Sequence, residues 1–378
     1  MPTGDMLPRS TDLFVIGGGP AGLAAAIAAR RRGLDVTLAD SSVPPINKAC
    51  GEGIMPDGLA AARSLGLDLE MVGGHAFSGI RFSQGETSVE ARFPKGHGLG
   101  LRRIELHNLM VEHAIQAGVR LAWGVRISGI SADGVMAGNR LVRARWIAGA
   151  DGGHSPVRRW AGLDACHRES HRFGFRRHYR VAPWSEFMEV HWGEGCQLYI
   201  TPVSAEEVCV VLITSDQHQR LEQALPQFPE VERRLAAGDA GGGATNTQRG
   251  GVTASRRLKS VWRGNVALVG DASGSVDAIT GEGLCLLFQQ SVALAAALEK
   301  NDLAGYQVEH RRIGRHPEFM ADMMLLLDQR RRLRTRAMRA FAARPGLFAE
   351  MLGMHTGEVP VARLIASGMA LGWRMLTL

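Results

Sequence analysis

The chain has 378 residues, 45% of them hydrophobic and 21% charged, with a net charge of +7. That is an ordinary globular composition, with room for one large core or two modest ones. Five cysteines, an odd and scattered set, show no Cys-x-x-Cys pair and no metal-ligand spacing and argue for reduced thiols in the cytoplasm; the chain contains no run of about 18 uninterrupted apolar residues, so no transmembrane helix is expected.

Residues 12–40 organise the rest. Asp12-Leu-Phe-Val-Ile predicts a short strand, Gly17-Gly18-Gly19-Pro20-Ala21-Gly22 a turn, and the alanine-rich run to Arg32 a helix. Asp35-Val-Thr-Leu-Ala-Asp40 predicts a second strand ending in an acid. The spacing Gly17-x-Gly19-x-x-Gly22 is that of a dinucleotide site. Gly17 permits the tight turn, Gly19 lets the backbone approach a pyrophosphate, and Gly22 lets helix lie close on strand. The helix start at Pro20 and Ala21 offers free N–H groups to phosphates. Asp40 stands where a carboxylate can accept a ribose hydroxyl. The glycines also break the apolar run, so it does not read as a signal peptide.

Next come a loop at 41–45 and an irregular, glycine-rich stretch from Lys48 to Pro56 containing Cys50 and Gly51. A short helix is predicted over 59–65, and half-buried strands over 80–82 and 88–93. A helix over 105–117 follows Arg103. Strands at 119–123, 125–130 and 141–147 lead to Gly149-Ala-Asp151-Gly152-Gly153-His-Ser155-Pro-Val-Arg158. Strands at 173–181, 187–192, 196–202 and 207–214 have hairpin spacing rather than strand–helix alternation. They define a second, sheet-based domain over 167–257, with a helix predicted over 217–236 and a loop at Gly241-Gly242-Gly243. Residues 258–300 return to the first domain. There a strand runs into Gly270-Asp271, and Gly281-Glu-Gly283-Leu284 opens a long helix. From 301 to 378 the chain reads as helical. The division is thus 1–166, 167–257, 258–300 and 301–378.

Three separated motifs now line up: Gly17-x-Gly19-x-x-Gly22, Asp151-Gly152-x-x-Ser155-x-Val157-Arg158, and Gly270-Asp271 followed by Gly281-x-Gly283. Their order and spacing resembles the flavoprotein monooxygenases typified by para-hydroxybenzoate hydroxylase, and equally the geranylgeranyl reductase branch of that superfamily. The resemblance implies an α/β fold: a Rossmann-type FAD-binding domain of glutathione-reductase-like kind, an inserted antiparallel-sheet substrate domain and a helical C-terminal region. It implies FAD as cofactor, with the first motif on the ADP half and Asp271 near the ribityl chain or pyrophosphate. The helix after Gly283 would face the pyrimidine edge of the flavin. Arg103, in Arg-x-x-Leu-x-x-x-Met, matches the family arginine that reaches the FAD phosphates, and Val125 matches a strand position beside adenine. The Cys50-Gly51 loop is similar in part to the loop that lies on the isoalloxazine in prenyl reductases; packing in a tight loop is the other reading of Cys50. The Asp151 motif is linked in hydroxylases with NAD(P)H use. Asp133-Gly134 and Gly238-Asp239 do not follow nucleotide-sheet strands in the same way.

With one dinucleotide fingerprint, a pyridine nucleotide would lack a Rossmann domain of its own. The tryptophan signature of flavin halogenases is absent. Substrate is expected between the flavin and the second sheet, where His178, His191, Tyr199 and Thr201 are candidates to bind it or accept its proton; sheet packing is the alternative for each. The expected activity is an FAD-dependent, NAD(P)H-using monooxygenase acting on a small aromatic or lipophilic metabolite. The alternatives are a prenyl-reductase-like reductase or dehydrogenase, and a flavin-bound maturation factor. The cluster Arg330, Arg331, Arg332, Arg334, Arg336, Arg339 and Arg344 reads either as a solvated helix face or, with the apolar stretch 359–378, as a peripheral contact with an anionic bilayer. No aromatics interleave with these arginines, which argues against a nucleic-acid partner.

Overall fold

Parallel strand pairing builds the nucleotide half of the molecule. The computed structural model describes residues 7–238 and 248–357. Ser10–Ile16 pairs in parallel with Val36–Asp40 on one side and Arg140–Gly149 on the other. Arg120–Trp123 and Val266–Leu268 extend these two flanks, again in parallel. The register aligns Ile16 with Ala39 and Gly149, and Gly149 with Leu268. The turns after Ile16, Asp40, Gly149 and Leu268 therefore emerge at one edge, the carboxyl end where open α/β sheets bind ligands.

Both faces of this sheet are covered, which is why its strands read as continuous apolar runs. Leu13 and Val15 pack with helices Pro20–Arg30 and Gly283–Glu299. Phe14 and Ile16 point the other way, toward Val135, Val142 and Val157. Pro20–Arg30 forms where expected. Gly19 is its extended N-cap, Pro20 occupies the first helical position, and alanines fill the interior. Asp133-Gly134 is only the turn between the antiparallel strands Ile127–Ser131 and Gly134–Ala137.

The second sheet has seven strands, in the order Arg249–Leu258, Cys166–Tyr179, Val208–Thr214, Cys196–Pro202, Phe187–Trp192, Gly79–Gln84 and Thr87–Arg92. Its pairings are antiparallel except Phe187–Trp192 with Gly79–Gln84. Two of its strands thus come from the stretch 1–166. Alternation in a sequence shows that a strand is half-buried, not which sheet it joins. The expected helix over 217–236 is three short pieces, Leu221–Ala224, Leu225–Gln227 and Pro229–Ala236. Pro226 and Pro229 lack the N–H groups that a continuous helix needs.

The chain ends, as described, in helices Leu303–Gln329, Arg331–Ala343 and Pro345–His355. The last two pack against Thr87–Arg92. Among the described residues no helix is long and apolar enough to cross a membrane. The stretch 359–378, Asp239 and the Gly241–Gly243 loop lie outside the described residues.

Candidate active site

A cavity of about 1260 Å³ opens at the carboxyl edge of the parallel sheet and runs to the second sheet. A second concavity of about 600 Å³, between helices Pro56–Ser64, Gly283–Glu299 and Leu303–Gln329, shares no residue with it.

The first glycine turn shapes one end of the large cavity. Gly17 has φ +114°, and a Cβ there would sit 2.4 Å from the Ala150 carbonyl oxygen. A Cβ on Gly22 would lie 1.8 Å from the Gly17 oxygen, and one on Gly18 would strike the Trp123 ring. At Gly19 a Cβ meets nothing within 4 Å, because that position opens into the cavity. Ala21 lines the cavity beside Pro20, and no side chain caps their helix. Asp40 also lines it. Its two carboxylate oxygens accept the Gly18 N–H at 2.6 Å and the Ser42 N–H at 2.7 Å.

Arg103, Val125 and Asp151 line the same space. The Arg103 Nε is buried and has no hydrogen-bond partner. Val125 donates its N–H to the Asp40 carbonyl at 3.0 Å. Asp151 accepts the Val157 N–H at 3.0 Å and the Ser155 hydroxyl, and desolvation raises its carboxyl above the usual value against these bonds. Gly270, at φ +62°, faces the first helix, and a Cβ there would lie 2.5 Å from that of Ala21. Asp271 next to it opens into the cavity. Desolvation raises its carboxyl, with Arg103 and Lys48 opposing. Gly281, Gly283 and Leu284 line the cavity at the start of helix Gly283–Glu299, which also carries no side-chain cap.

Cys50 and Gly51 line the cavity, together with a residue that the sequence did not single out. Glu52 has φ +60° and is buried. Its carboxylate accepts the Arg103 N–H at 3.0 Å, pairs with the buried Arg176, and meets His178 Nε2 at 2.6 Å. Burial pushes this carboxyl up, but His178, Arg176 and the Arg103 N–H outweigh it and hold it below the ordinary value. Glu52, His178 and Cys209 stand close enough to share a metal ion. Arg176 on the same carboxylate disfavours a second cation there. The only sequence signal for Glu52 was a charged residue set between two glycines.

The four substrate-side candidates divide. Tyr199 and Thr201 line the cavity, with Met55, Met188, Val211 and Ile213 completing an apolar wall. His178 and His191 do not: His178 is turned to Glu52, and His191 Nε2 pairs with Glu189 at 2.9 Å. His191 stands opposite Leu198, on the face away from Tyr199, whereas His178 stands beside Cys209 and Thr201 on the cavity face and is covered there by Glu52. Tyr199 donates its hydroxyl to the Ile279 carbonyl at 2.8 Å, and burial pushes its phenol far up. It is a poor base. Thr201 Oγ1 is buried and unpartnered.

These features fit FAD. An uncapped helix start, the open position at Gly19 and an orphaned arginine nitrogen all call for an anionic dinucleotide. The molecule is an FAD-dependent oxidoreductase built on a parallel nucleotide sheet and a second, mainly antiparallel one. It belongs to the FAD binding domain family that matches residues 10–303. The chain is 28% identical to menaquinone reductase of Mycobacterium tuberculosis, over 78% of each. It is 25% identical to the FAD-dependent urate hydroxylase of Klebsiella pneumoniae, over 79% of this chain and 84% of that one. Its fold resembles PqsL, a probable FAD-dependent monooxygenase from Pseudomonas aeruginosa, with TM-score 0.70 and 21% identity over 84% of this chain and 97% of that structure.

Proposed function

We propose that the protein is a monooxygenase that uses FAD, NAD(P)H and O2 to hydroxylate a small aromatic or lipophilic metabolite. The observation that carries this reading is the wall of Met55, Met188, Val211 and Ile213 in the same cavity as the helix start at Gly283. Such a wall binds an apolar ring or chain and keeps water from the reacting atoms. Bound FAD supplies the redox chemistry, taking a hydride from NAD(P)H and passing the electrons to oxygen.

The protein's own residues bind, orient and shield. Gly17, Gly18, Gly19, Pro20, Ala21 and Gly22 hold the ADP half, with Asp40 at its ribose and Val125 at adenine. Arg103 and Asp271 flank the pyrophosphate and ribityl chain, supported by Asp151 and Gly270. Gly281, Gly283 and Leu284 present the positive helix end to the pyrimidine edge, where it favours negative charge on the ring. Cys50 and Gly51 lie along the ring, and the Glu52 ion pairs fix their loop. Thr201 offers its unpartnered hydroxyl to the substrate.

A reductase of an isoprenoid or quinone is the second reading. It is favoured by the Cys50-Gly51 loop on the cavity and by the menaquinone reductase relative. One experiment separates them. The purified yellow protein is mixed with NAD(P)H and a panel of aromatic and prenyl compounds, with and without oxygen. A monooxygenase consumes oxygen and yields a hydroxylated product. Saturation of a double bond without oxygen establishes the reductase instead.

We further propose a cytoplasmic protein that touches an anionic membrane through its basic helix. In support, Arg332, Arg336 and Arg339 recur at helical spacing on Arg331–Ala343 and are exposed. Arg334 is not part of that face: it is buried, with its guanidinium on the carbonyls of Asp328 and Gly193.

A further inference from the structure

Gly281 and Gly283 face the cavity, but Glu282 between them turns away from it and is buried. Its Oε1 meets Nδ1 of His355, at the end of the last described helix, at 3.0 Å. One turn into helix Gly283–Glu299, the Cys285 thiol donates to Asp57 Oδ2 at 2.6 Å. Asp57 starts the neighbouring helix Pro56–Ser64 and is half-buried, so solvent reaches it. Two carboxylates therefore share one imidazole and one thiol directly behind the turn whose helix start faces the flavin. No arginine or lysine pairs with either acid among the described residues.

The charges of this cluster can be followed. Burial pulls the His355 imidazole down, but Glu282, with Asp57 and the Thr280 backbone, outweighs it and keeps the ring protonated above its ordinary value. Burial pushes the Asp57 carboxyl up and Glu282 adds to this, while Cys285, His355 and the Gly58 N–H oppose. Burial, Asp57 and Glu282 all raise the Cys285 thiol, against Gln289, so it stays a neutral donor. With both acids ionised and His355 protonated, the cluster holds one net negative charge. That charge opposes the helix dipole at the place where a reduced flavin ring becomes negative.

We propose that Asp57, Glu282 and His355 form a redox-linked proton site for the flavin, with Asp57 as the group that takes up the proton. This rests on FAD lying with its pyrimidine edge at Gly281–Leu284. Hydride transfer brings two electrons and one proton to the ring and leaves it with one negative charge. Asp57 then binds a second proton, drawn from solvent, so the cluster becomes neutral as the ring becomes charged. The couple is two electrons and two protons, with the second proton on the protein.

The test is the midpoint potential of the FAD-loaded protein as a function of pH. In the wild type the slope is that of two protons per two electrons over a window starting above the ordinary carboxylate range, and one proton outside it. Asp57→Asn gives a slope of one proton throughout. It also raises the affinity for reduced over oxidised FAD about tenfold, ~30 mV toward positive potential. His355→Gln removes a positive charge and shifts the potential the opposite way. Damage to the fold would move both variants alike, so the opposed signs identify the charge effect. If Asp57→Asn does not hold FAD, Asp57→Ser takes its place with the same sign. Variants that keep FAD yet leave the potential and its slope unchanged, or shift in the same direction, overturn the proposal and leave the FAD assignment standing. A wild-type protein that binds no FAD overturns both.

Discussion

His178 Nε2 lies 2.6 Å from Glu52 Oε2, joining residues 126 positions apart in sequence. Glu52 also neutralises the buried Arg176. Glu52→Gln leaves that guanidinium without its counter-charge and costs about 3 kcal/mol of stability. Urea unfolding of the wild type and variant measures the loss, and flavin absorbance after gel filtration shows whether the Cys50-Gly51 loop still supports FAD.

The glycines of the first turn separate folding from binding. Gly22→Ala drives a methyl into the Gly17 carbonyl and lowers the melting temperature of the FAD-free protein. Gly19→Ala meets no protein atom, so the FAD-free protein melts as the wild type does. It nonetheless weakens FAD by about tenfold or more, ~1.4 kcal/mol, because the methyl takes the space of the pyrophosphate. Fluorescence titration with FAD measures this.

Tyr199 tests whether the substrate side contains a phenolic base. Tyr199→Phe removes one buried hydrogen bond to Ile279 and costs about 1 kcal/mol. The pH profile of turnover keeps its shape, since the phenol is pushed too far up to titrate. Loss of an acidic limb from that profile, where a general base must be deprotonated to act, would restore Tyr199 as a catalytic base.

Acid sensitivity has an assignable source in His310. Its Nε2 meets the Ser273 hydroxyl at 2.8 Å behind the Gly270–Asp271 turn, and burial lowers its pKa to about 4. The unfolded chain binds this proton near the ordinary value of about 6.5. Between those values the unfolded state holds more protons, so stability is full above the upper value and falls as pH drops through the window. The loss is about 3 kcal/mol. His310→Gln removes that part of the pH dependence, which unfolding curves at several pH values will show.

The nucleotide half was legible because its signals are local. The Gly17–Gly22 spacing, Asp40 and Gly270-Asp271 each sit at the end of a strand, and the register brings these ends to one edge. The electrostatic partners were not legible. Glu52 with Arg176, Glu282 with His355, and Arg172 with Asp277 and Asp328 are pairs made by tertiary packing. Nothing in the spacing of a lone acid tells which distant cation it will meet. His191 looked like a substrate contact because strand alternation gives two faces without saying which one a cavity occupies; His178 is on the cavity face, beside Cys209 and Thr201, but Glu52 covers it, and no local pattern shows that.

The late position of Val266–Leu268 in the parallel sheet has a consequence for biosynthesis. That strand pairs with Arg140–Gly149, and the cavity it helps to close also needs Gly281 to Leu284. A ribosome must therefore translate from the glycine turn at Gly17 to beyond Leu284 before a nucleotide can be held. Meanwhile Gly79–Gln84 waits for Phe187–Trp192, some hundred residues away. The nascent chain spends that interval with unpaired strand edges, the feature that exposes a folding chain to association with its neighbours.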